Sequence, residues 1–264
     1  MISVLMSVYN CAQTIEESLN AILSQTEPDW ELILCDDGST DESFALLRQF
    51  AEKYPEKVTL IQNETNLGLS ASLNRCLAAA KGEFVARMDG DDLCSKERFE
   101  KELRVLREHP EYAVVSTDME CFDDDGTWGL MQYPTNPREE DFVHGTPFCH
   151  AACMARRDVL RQVGGYSESS RYARVEDYHL WMKLYWSGFK GMNLHEPLYQ
   201  MRDDRNAASR RSFQNRLNEA RIRMEAVKTF HLPAWKSIYA LRPLILGLLP
   251  GGIYRAFHRA KLRR

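Results

Sequence analysis

Three carboxylates lie within four residues, directly after an apolar run. The run Phe84-Val85-Ala86 is followed by Arg87-Met88-Asp89-Gly90-Asp91-Asp92. A strand that ends here would place several negative charges at the carboxyl edge of a sheet, where open α/β sheets bind their ligands. Because like charges at short range repel one another, a divalent cation between them would explain the cluster. A solvated acidic turn would explain it equally well, since Asp-Gly is common in turns.

Two further acidic pairs stand at the ends of predicted elements. Asp36-Asp37 follows the apolar segment 31–35, and Glu176-Asp177 precedes aromatic and aliphatic residues at helical spacing. The helix dipole would stabilise a carboxylate at this N-terminus as the anion, although a plain N-terminal cap would also place an acid there.

The sequence lacks the glycine-rich loops that cradle phosphates. No G-x-G-x-x-G follows the first predicted strand, and no G-x-x-x-x-G-K-[ST] occurs anywhere. A site built from carboxylates would hold a diphosphate through a bridging hard cation, Mn²⁺ or Mg²⁺. Carboxylates also accept hydrogen bonds from ribose hydroxyls or from a nucleobase.

Alternating strands and helices must position these residues. The pattern predicts strands at 2–9, 31–35, 58–62 and 84–88. Helices are predicted after a capping-box pattern at Thr14 and Glu17, over 42–53, up to residue 80, and over 95–108. This order predicts an α/β fold whose central sheet is mostly parallel and flanked by helices. The later pattern is looser, with a strand at 114–117, helices at 158–163, 176–186 and 215–230, and a loop over 199–211.

Seven short motifs in order resemble the family 2 glycosyltransferases. They are Ser3-Val4-Leu5-Met6-Ser7-Val8-Tyr9-Asn10, Asp36-Asp37-Gly38-Ser39-Thr40-Asp41, Asn66-Leu67-Gly68, Lys81-Gly82-Glu83, Asp89-Gly90-Asp91-Asp92, Gly164-Gly165-Tyr166 and Glu176-Asp177-Tyr178. The resemblance implies a GT-A fold. It also implies inverting transfer of a hexose or N-acetylhexosamine from a nucleotide diphosphate sugar, with UDP as the commonest nucleotide. The expected acceptor is a hydroxyl of a glycan or lipid-linked sugar in bacterial cell-surface polysaccharide synthesis.

The same resemblance assigns roles by position. Asp177 would be the general base, and Asp91 would hold Mn²⁺ or Mg²⁺ against the diphosphate. Glu176 and His150 would line the site, although a packed core histidine is an equally good reading of His150. The nucleotide would be bound by Ser7, Tyr9, Asp37, Asp89, Arg202, Arg210 and Arg211. The three arginines belong to a segment that closes over the donor in similar proteins, and a solvated basic loop is the alternative.

Two other functions remain open at this point. A nucleotidyltransferase that makes nucleotide sugars would use a similar sheet. It would need a glycine-rich basic loop after the first strand, however, and residues 7–13 do not form one. A catalytically inactive nucleotide- or carbohydrate-binding protein would not need both Asp91 and Asp177.

Charge divides the chain into two parts. The formal net charge of −4 gives no general attraction to nucleic acid, yet residues 233–264 contain seven Lys or Arg and no Asp or Glu. We therefore expect a glycosyltransferase domain over 1–212, with a nucleotide-binding half at 1–110 and an acceptor and catalytic half at 111–212, followed by a basic helical extension at 213–264. Residues 243–264 interleave apolar side chains with cations, which suits the surface of an anionic membrane.

The cysteines and the N-terminus bear on location. Seven cysteines are scattered along the chain, and the N-terminus enters a strand pattern without a basic leader region. Both features favour a reducing compartment, so we expect a cytoplasmic protein that contacts the inner face of the cell membrane peripherally.

Overall fold

The first four strands form the parallel half of one sheet. The computed structural model describes residues 1–203 and 212–248. Parallel pairing joins these strands in the order β3-β2-β1-β4. They span Ile2–Val8 (β1), Trp30–Asp36 (β2), Val58–Gln62 (β3) and Phe84–Arg87 (β4). Their carboxyl ends therefore meet at one edge, as the sequence predicts.

The remaining strands extend the sheet beyond β4 in mixed directions. They span Leu93–Cys94 (β5), Tyr112–Asp123 (β6), Gly126–Met131 (β7), Met154–Arg156 (β8) and Lys190–Arg202 (β9). β8 is antiparallel to both β4 and β6, whereas β9 runs parallel to β6 and antiparallel to β5. The α/β fold is thus confirmed, and its second half adds antiparallel pairs to the parallel core.

Helices cover both faces of the sheet. Within the described residues they span Ile15–Leu23 (α1), Ser43–Lys53 (α2), Leu69–Ala79 (α3), Arg98–Glu108 (α4), Arg157–Gln162 (α5), Glu176–Trp186 (α6), Phe213–Thr229 (α7) and Leu241–Gly247 (α8). Side chains of a strand alternate between faces, so β1 sends Val4 and Met6 into one core and Leu5 into the other. The first core contains α1, α2 and α4, and the second contains α3, α6 and α7.

Two local predictions were wrong. The predicted loop over 199–211 begins inside β9, whose last residues are Tyr199–Arg202. The hydrophobic pattern did not reveal a strand there, because β9 pairs with β5 on one side and with β6 on the other. Its register with β6 is also irregular near Asp118. The capping box is also absent, since Thr14 Oγ1 donates to the carbonyl of Gly90 at 3.0 Å instead of capping α1.

The helices after residue 212 pack on the domain. Ile222 and Ala226 of α7, together with Phe230, lie in the same core as the α6 residues. A 3₁₀ helix at Ala234–Ala240 and α8 then follow against α7. Across 1–203 and 212–248, the structure contains no helix with both the length and the apolar character needed to cross a bilayer.

Candidate active site

The carboxyl ends of β1 and β2 carry the first predicted nucleotide contacts. Ser7 lies opposite Cys35 near the end of β1 and is partly exposed, and Tyr9 follows it with an exposed ring. The loop after β1 is held by the loop after β2. Asn10 N–H donates to Ser39 Oγ at 3.1 Å, and Thr40 N–H donates to Asn10 Oδ1 at 2.9 Å. Tyr9 and Ser7 are thereby presented at the sheet edge.

Asp37 is buried, and it organises the loop that follows β3. Its Oδ1 accepts from Asn63 Nδ2 at 2.7 Å and from Leu67 N–H at 2.9 Å, and its Oδ2 accepts from Gly68 N–H at 2.9 Å. Gly38 has a φ of +71°, and a Cβ there would lie 2.6 Å from the carbonyl carbon of Thr65. Only glycine permits this close approach of the two loops.

The acidic loop after β4 is fixed by β9. Asp92 is buried, its Oδ2 accepts from Tyr199 Oη at 2.8 Å, and its Oδ1 accepts from Arg202 N–H at 2.8 Å. Burial, followed by the nearby carboxylates of Asp89 and Asp91, raises the pKa of Asp92 well above its ordinary value. Asp92 therefore shapes this loop, while Asp89 and Asp91 are partly exposed.

The loop Asp89–Asp92 suits a hard divalent cation, which can also coordinate oxygen atoms of a substrate. Asp91 supplies a carboxylate beside two other acids, and oxygen ligands are those that Mg²⁺ and Mn²⁺ prefer. No group of three His, Cys, Asp or Glu side chains arranged to hold a metal occurs among the described residues. Mg²⁺ at nucleotides is usually bound by one or two carboxylates together with phosphate and water oxygens, and the partly exposed Asp91 fits that arrangement.

Arg87 is a cation that the sequence reading did not assign. It is the last residue of β4, it is buried, and its Nη1 lies 2.5 Å from Oδ1 of Asp89. Its charge also lowers the pKa of Asp177, although this effect is smaller than that of burial. Arg87 is therefore paired with Asp89, and its charge also acts on Asp177. The only signal in the sequence was the spacing, because residues 87 and 89 are two positions apart.

Asp177 lies in the first turn of α6 beside Glu176. Both side chains keep some contact with solvent, although protein atoms surround the carboxyl group of Asp177. Burial, and then the neighbouring charge of Glu176, raises the pKa of Asp177 to about 7, while backbone N–H groups at the helix start and Arg87 lower it. A carboxyl group that titrates near neutrality is suited to general base catalysis.

His150 forms a side-chain contact with the Gly-Gly-Tyr motif. Its Nε2 lies 2.8 Å from the hydroxyl of Tyr166, and its ring packs edge-on against Trp181. Burial, and then the charge of Arg87, lowers the pKa of His150 well below 6.5, so the imidazole is neutral. Tyr166 is held in turn by Asn74, which bonds both its backbone N–H and its carbonyl.

Arg202 lies against the acidic loop. Its Nε donates to the carbonyl of Asp91 at 3.2 Å, its Nη2 donates to Glu17 at 2.6 Å, and its guanidinium stacks over the ring of Phe122. Arg210 and Arg211, the other two arginines assigned to the nucleotide, lie outside the described residues.

The family is decided by the sequence match. The pattern of the family described as Glycosyl transferase family 2 matches residues 3–164. The chain belongs to this family. A putative glycosyltransferase, EpsE of Bacillus subtilis, is 41% identical over 261 residues, which cover 99% of this chain and 94% of that protein.

A more distant relative and two solved structures extend the comparison. The UDP-Glc:alpha-D-GlcNAc-diphosphoundecaprenol beta-1,3-glucosyltransferase WfaP of Escherichia coli is 23% identical over 93% of this chain and 94% of its own. S. aureus TarS 1-349 in complex with UDP-GlcNAc matches with a TM-score of 0.70 and 23% identity, covering 91% of this chain and 72% of its own. Mannosyltransferase PcManGT from Pyrobaculum calidifontis, with GDP-Man and Mn²⁺, gives 0.67 and 21%, covering 98% and 79%. These structures support the GT-A fold, and family membership favours glycosyl transfer over the nucleotidyltransferase and the inactive binding protein.

Proposed function

We propose that this glycosyltransferase moves a hexose or N-acetylhexosamine from a UDP-sugar to a hydroxyl of a glycan or lipid-linked acceptor, with inversion. The observation that carries the proposal is the acidic loop at the carboxyl edge of the sheet, where Asp92 is buried and bound by Tyr199 and Arg202 while Asp89 and Asp91 stay partly exposed. Support for a UDP-sugar comes from TarS, and support for a lipid-linked acceptor comes from WfaP.

The donor side is proposed to consist of the loops after β1, β2 and β4. Ser7, Tyr9 and Asp37 would contact the base, and Asp89 would contact the ribose. Arg202 and the undescribed Arg210 and Arg211 would bind the diphosphate, because a guanidinium forms paired hydrogen bonds with phosphate oxygens. Asp91 would hold Mn²⁺ or Mg²⁺, and the bound ion would neutralise charge on the diphosphate leaving group.

The acceptor side is proposed to depend on Asp177. Its carboxylate would take the proton of the acceptor hydroxyl as that oxygen bonds to the anomeric carbon. The bond from the anomeric carbon to the phosphate oxygen breaks, and its electron pair leaves with the nucleotide diphosphate. Attack from the face opposite the leaving group inverts the anomeric centre. His150 and Glu176 would line this side, with the neutral imidazole holding Tyr166 in place.

The division of labour along the chain is also a proposal. Residues 1–212 would carry the reaction, and the basic extension 213–264 would bring the enzyme to the inner face of the cell membrane, where a lipid-linked acceptor would be found. The rest of the protein would lie in the cytoplasm. The expected membrane contact lies within 243–264, of which 249–264 are outside the described residues.

A binding and turnover experiment tests this function. UDP and GDP are each titrated into the full chain by calorimetry with and without Mn²⁺, and UDP-sugar hydrolysis is followed in parallel. We expect Mn²⁺-dependent UDP binding that Asp91→Asn removes and that Asp177→Asn retains, with hydrolysis lost in both. Asp158→Asn is the matched control, since this carboxylate is 90% exposed at the start of α5. Stronger binding of GDP than of UDP, or hydrolysis by Asp177→Asn, would contradict the assignment.

A further inference from the structure

The segment after α7 exposes a continuous row of large apolar side chains. Trp235, Ile238, Leu241, Ile245 and Leu248 are between 51% and 77% exposed. They recur every three or four residues through the 3₁₀ helix Ala234–Ala240 and α8, so they lie along one side of this helical run. We call these five residues the apolar stripe. Soluble proteins rarely expose a contiguous apolar surface unless it binds something.

The other side of the same run is fixed to the domain. Ala240 and Pro243 are buried, Lys236 Nζ binds Glu140 at 2.8 Å, and the ring of Tyr239 packs edge-on against His144. At Gly247, a Cβ would lie 3.1 Å from Cγ of Arg216, so α8 is packed closely on α7. Because these contacts hold the run in one orientation, the stripe cannot turn inward without breaking them.

The charge around the stripe indicates what would cover it. Arg242 is exposed between Leu241 and Ile245, and the segment from 233 to the C-terminus contains no carboxylate side chain. The sequence from 253 to 264 continues with cations interleaved with apolar residues. Glu140, which contacts this run from another segment, is paired with Lys236. Apolar side chains with cations among them suit the interface of an anionic bilayer. A second copy of the same surface would bring like charges together across a twofold axis, which disfavours a dimer.

We propose that the apolar stripe docks on an anionic phospholipid bilayer, with its side chains in the acyl boundary and Arg242 among the headgroups. This inference deepens the membrane contact proposed above, and it places the start of that contact at Trp235 rather than at residue 243. The run would lie in the plane of the interface, because its packing along α7 turns only the stripe side towards the bilayer.

Vesicle sedimentation with the full chain tests the docking surface. Vesicles of phosphatidylcholine alone are compared with vesicles containing phosphatidylglycerol, in the absence of any donor or acceptor. We expect the wild type to bind the anionic vesicles. The double variant Ile238→Ser with Ile245→Ser should bind roughly tenfold more weakly or worse, since it loses two aliphatic side chains that would be buried in the bilayer on docking. Met224→Ser is the matched control, because it removes an exposed apolar side chain from α7 outside the stripe.

Tryptophan fluorescence provides a second readout that does not depend on weakened binding. Trp235 and Trp186 are both well exposed, and only Trp235 belongs to the stripe. A blue shift on addition of anionic vesicles should disappear in Trp235→Phe and persist in Trp186→Phe. The reverse result, or unchanged sedimentation of the double serine variant, would overturn the proposal.

Two other outcomes would point to a different occupant. A dimer of the wild-type chain that dissociates in the double serine variant would assign the stripe to a second copy. Equal binding to vesicles with and without phosphatidylglycerol would remove the electrostatic argument. Because these assays contain no sugar donor, a failure here leaves the proposed glycosyl transfer intact, and turnover on a soluble acceptor should be the same in the stripe variants and the wild type.

Discussion

The hydroxyl of Tyr199 donates to Oδ2 of Asp92 at 2.8 Å, although the two residues are 107 positions apart. The same hydroxyl accepts from the backbone N–H of Asp89 at 3.1 Å. One buried side chain on β9 thereby holds both ends of the loop that carries Asp91. The second half of the sheet thus fixes the geometry of the acidic motif in the first half.

Replacing Tyr199 with Phe should loosen this loop. The variant leaves the Asp92 carboxylate and the Asp89 N–H without their shared partner, and we expect a loss of about 1–3 kcal/mol in the free energy of unfolding. Because Asp89 and Asp91 are proposed to bind the donor, the KM for the donor should also rise about tenfold. Denaturant unfolding and donor-dependent kinetics measure the two effects.

Tyr185→Phe is the matched control for this prediction. Its hydroxyl is buried, donates to the carbonyl of Pro137 at 3.0 Å and accepts from Gly191 N–H at 3.2 Å. It should lose similar stability and keep the donor KM. Equal changes of KM in both variants would mean that the Tyr199 effect is a general consequence of instability.

The rate should depend on the ionisation of Asp177. With its pKa raised to about 7 by burial and by Glu176, the carboxyl group is protonated in acid and cannot accept a proton. We expect kcat/KM to fall about tenfold per pH unit below pH 7. Glu176→Gln removes the neighbouring negative charge, so the acid limb should move to lower pH. If the acid limb does not move in this variant, the group that titrates is not Asp177.

Ionisation of Asp177 should cost stability at high pH. A group whose pKa is raised on folding stabilises the folded protein at pH values below its unfolded pKa of 3.8, and this contribution is lost as the pH rises through about 7. Asp177→Asn should therefore be inactive yet melt a few degrees higher than the wild type at pH 8. The difference should shrink at pH 5.5, and calorimetry at both pH values checks the sign. A lower melting point at pH 8 would contradict it.

The sequence predicted the parallel half of the fold well. Buried strands with short helical connections leave a clear periodic pattern, so β1 to β4 and their acidic ends were found within a few residues. Glu176–Trp186 was predicted with the observed bounds because its aromatic spacing is regular. The long strand β9 was not predicted, since its pairing and its irregular register with β6 near Asp118 are properties of the assembled sheet.

The contacts that organise the site were less accessible from sequence. The pairing of Asp92 with Tyr199, of His150 with Tyr166 and of Asp37 with the backbone of Leu67 depends on distant elements meeting in space. A motif identifies a carboxylate but not its partners. This is why Asp89, Asp91 and Asp92 look alike in the sequence, whereas in the structure Asp92 is buried and accepts a hydrogen bond on each oxygen, and Asp89 and Asp91 are partly exposed.

A buried ion pair behind the acidic loop gives the last prediction. Arg98 Nε lies 3.2 Å from Oε1 of Glu102 on α4, and both side chains are fully buried. The Arg98 guanidinium also packs over the ring of Tyr199 at 5.1 Å. Glu102→Ala would leave this guanidinium buried without its carboxylate, and we expect a loss of about 3–5 kcal/mol in the free energy of unfolding.

The exposed pair of Arg48 and Glu52 on α2 supplies the control, because it has the same i, i+4 spacing. Glu52→Ala should cost less than about 1 kcal/mol, since water screens an exposed pair. A small effect of Glu102→Ala would show that the Arg98 charge finds another partner. Replacing both residues with apolar ones, Arg98→Met with Glu102→Leu, should recover most of the stability, because removing both charges leaves none buried and unpaired. The donor KM of this double variant is then compared with that of the wild type. If the KM is higher although stability is restored, the cation over Tyr199 is needed to hold the Asp89–Asp92 loop, and the ion pair contributes to the site as well as to the fold.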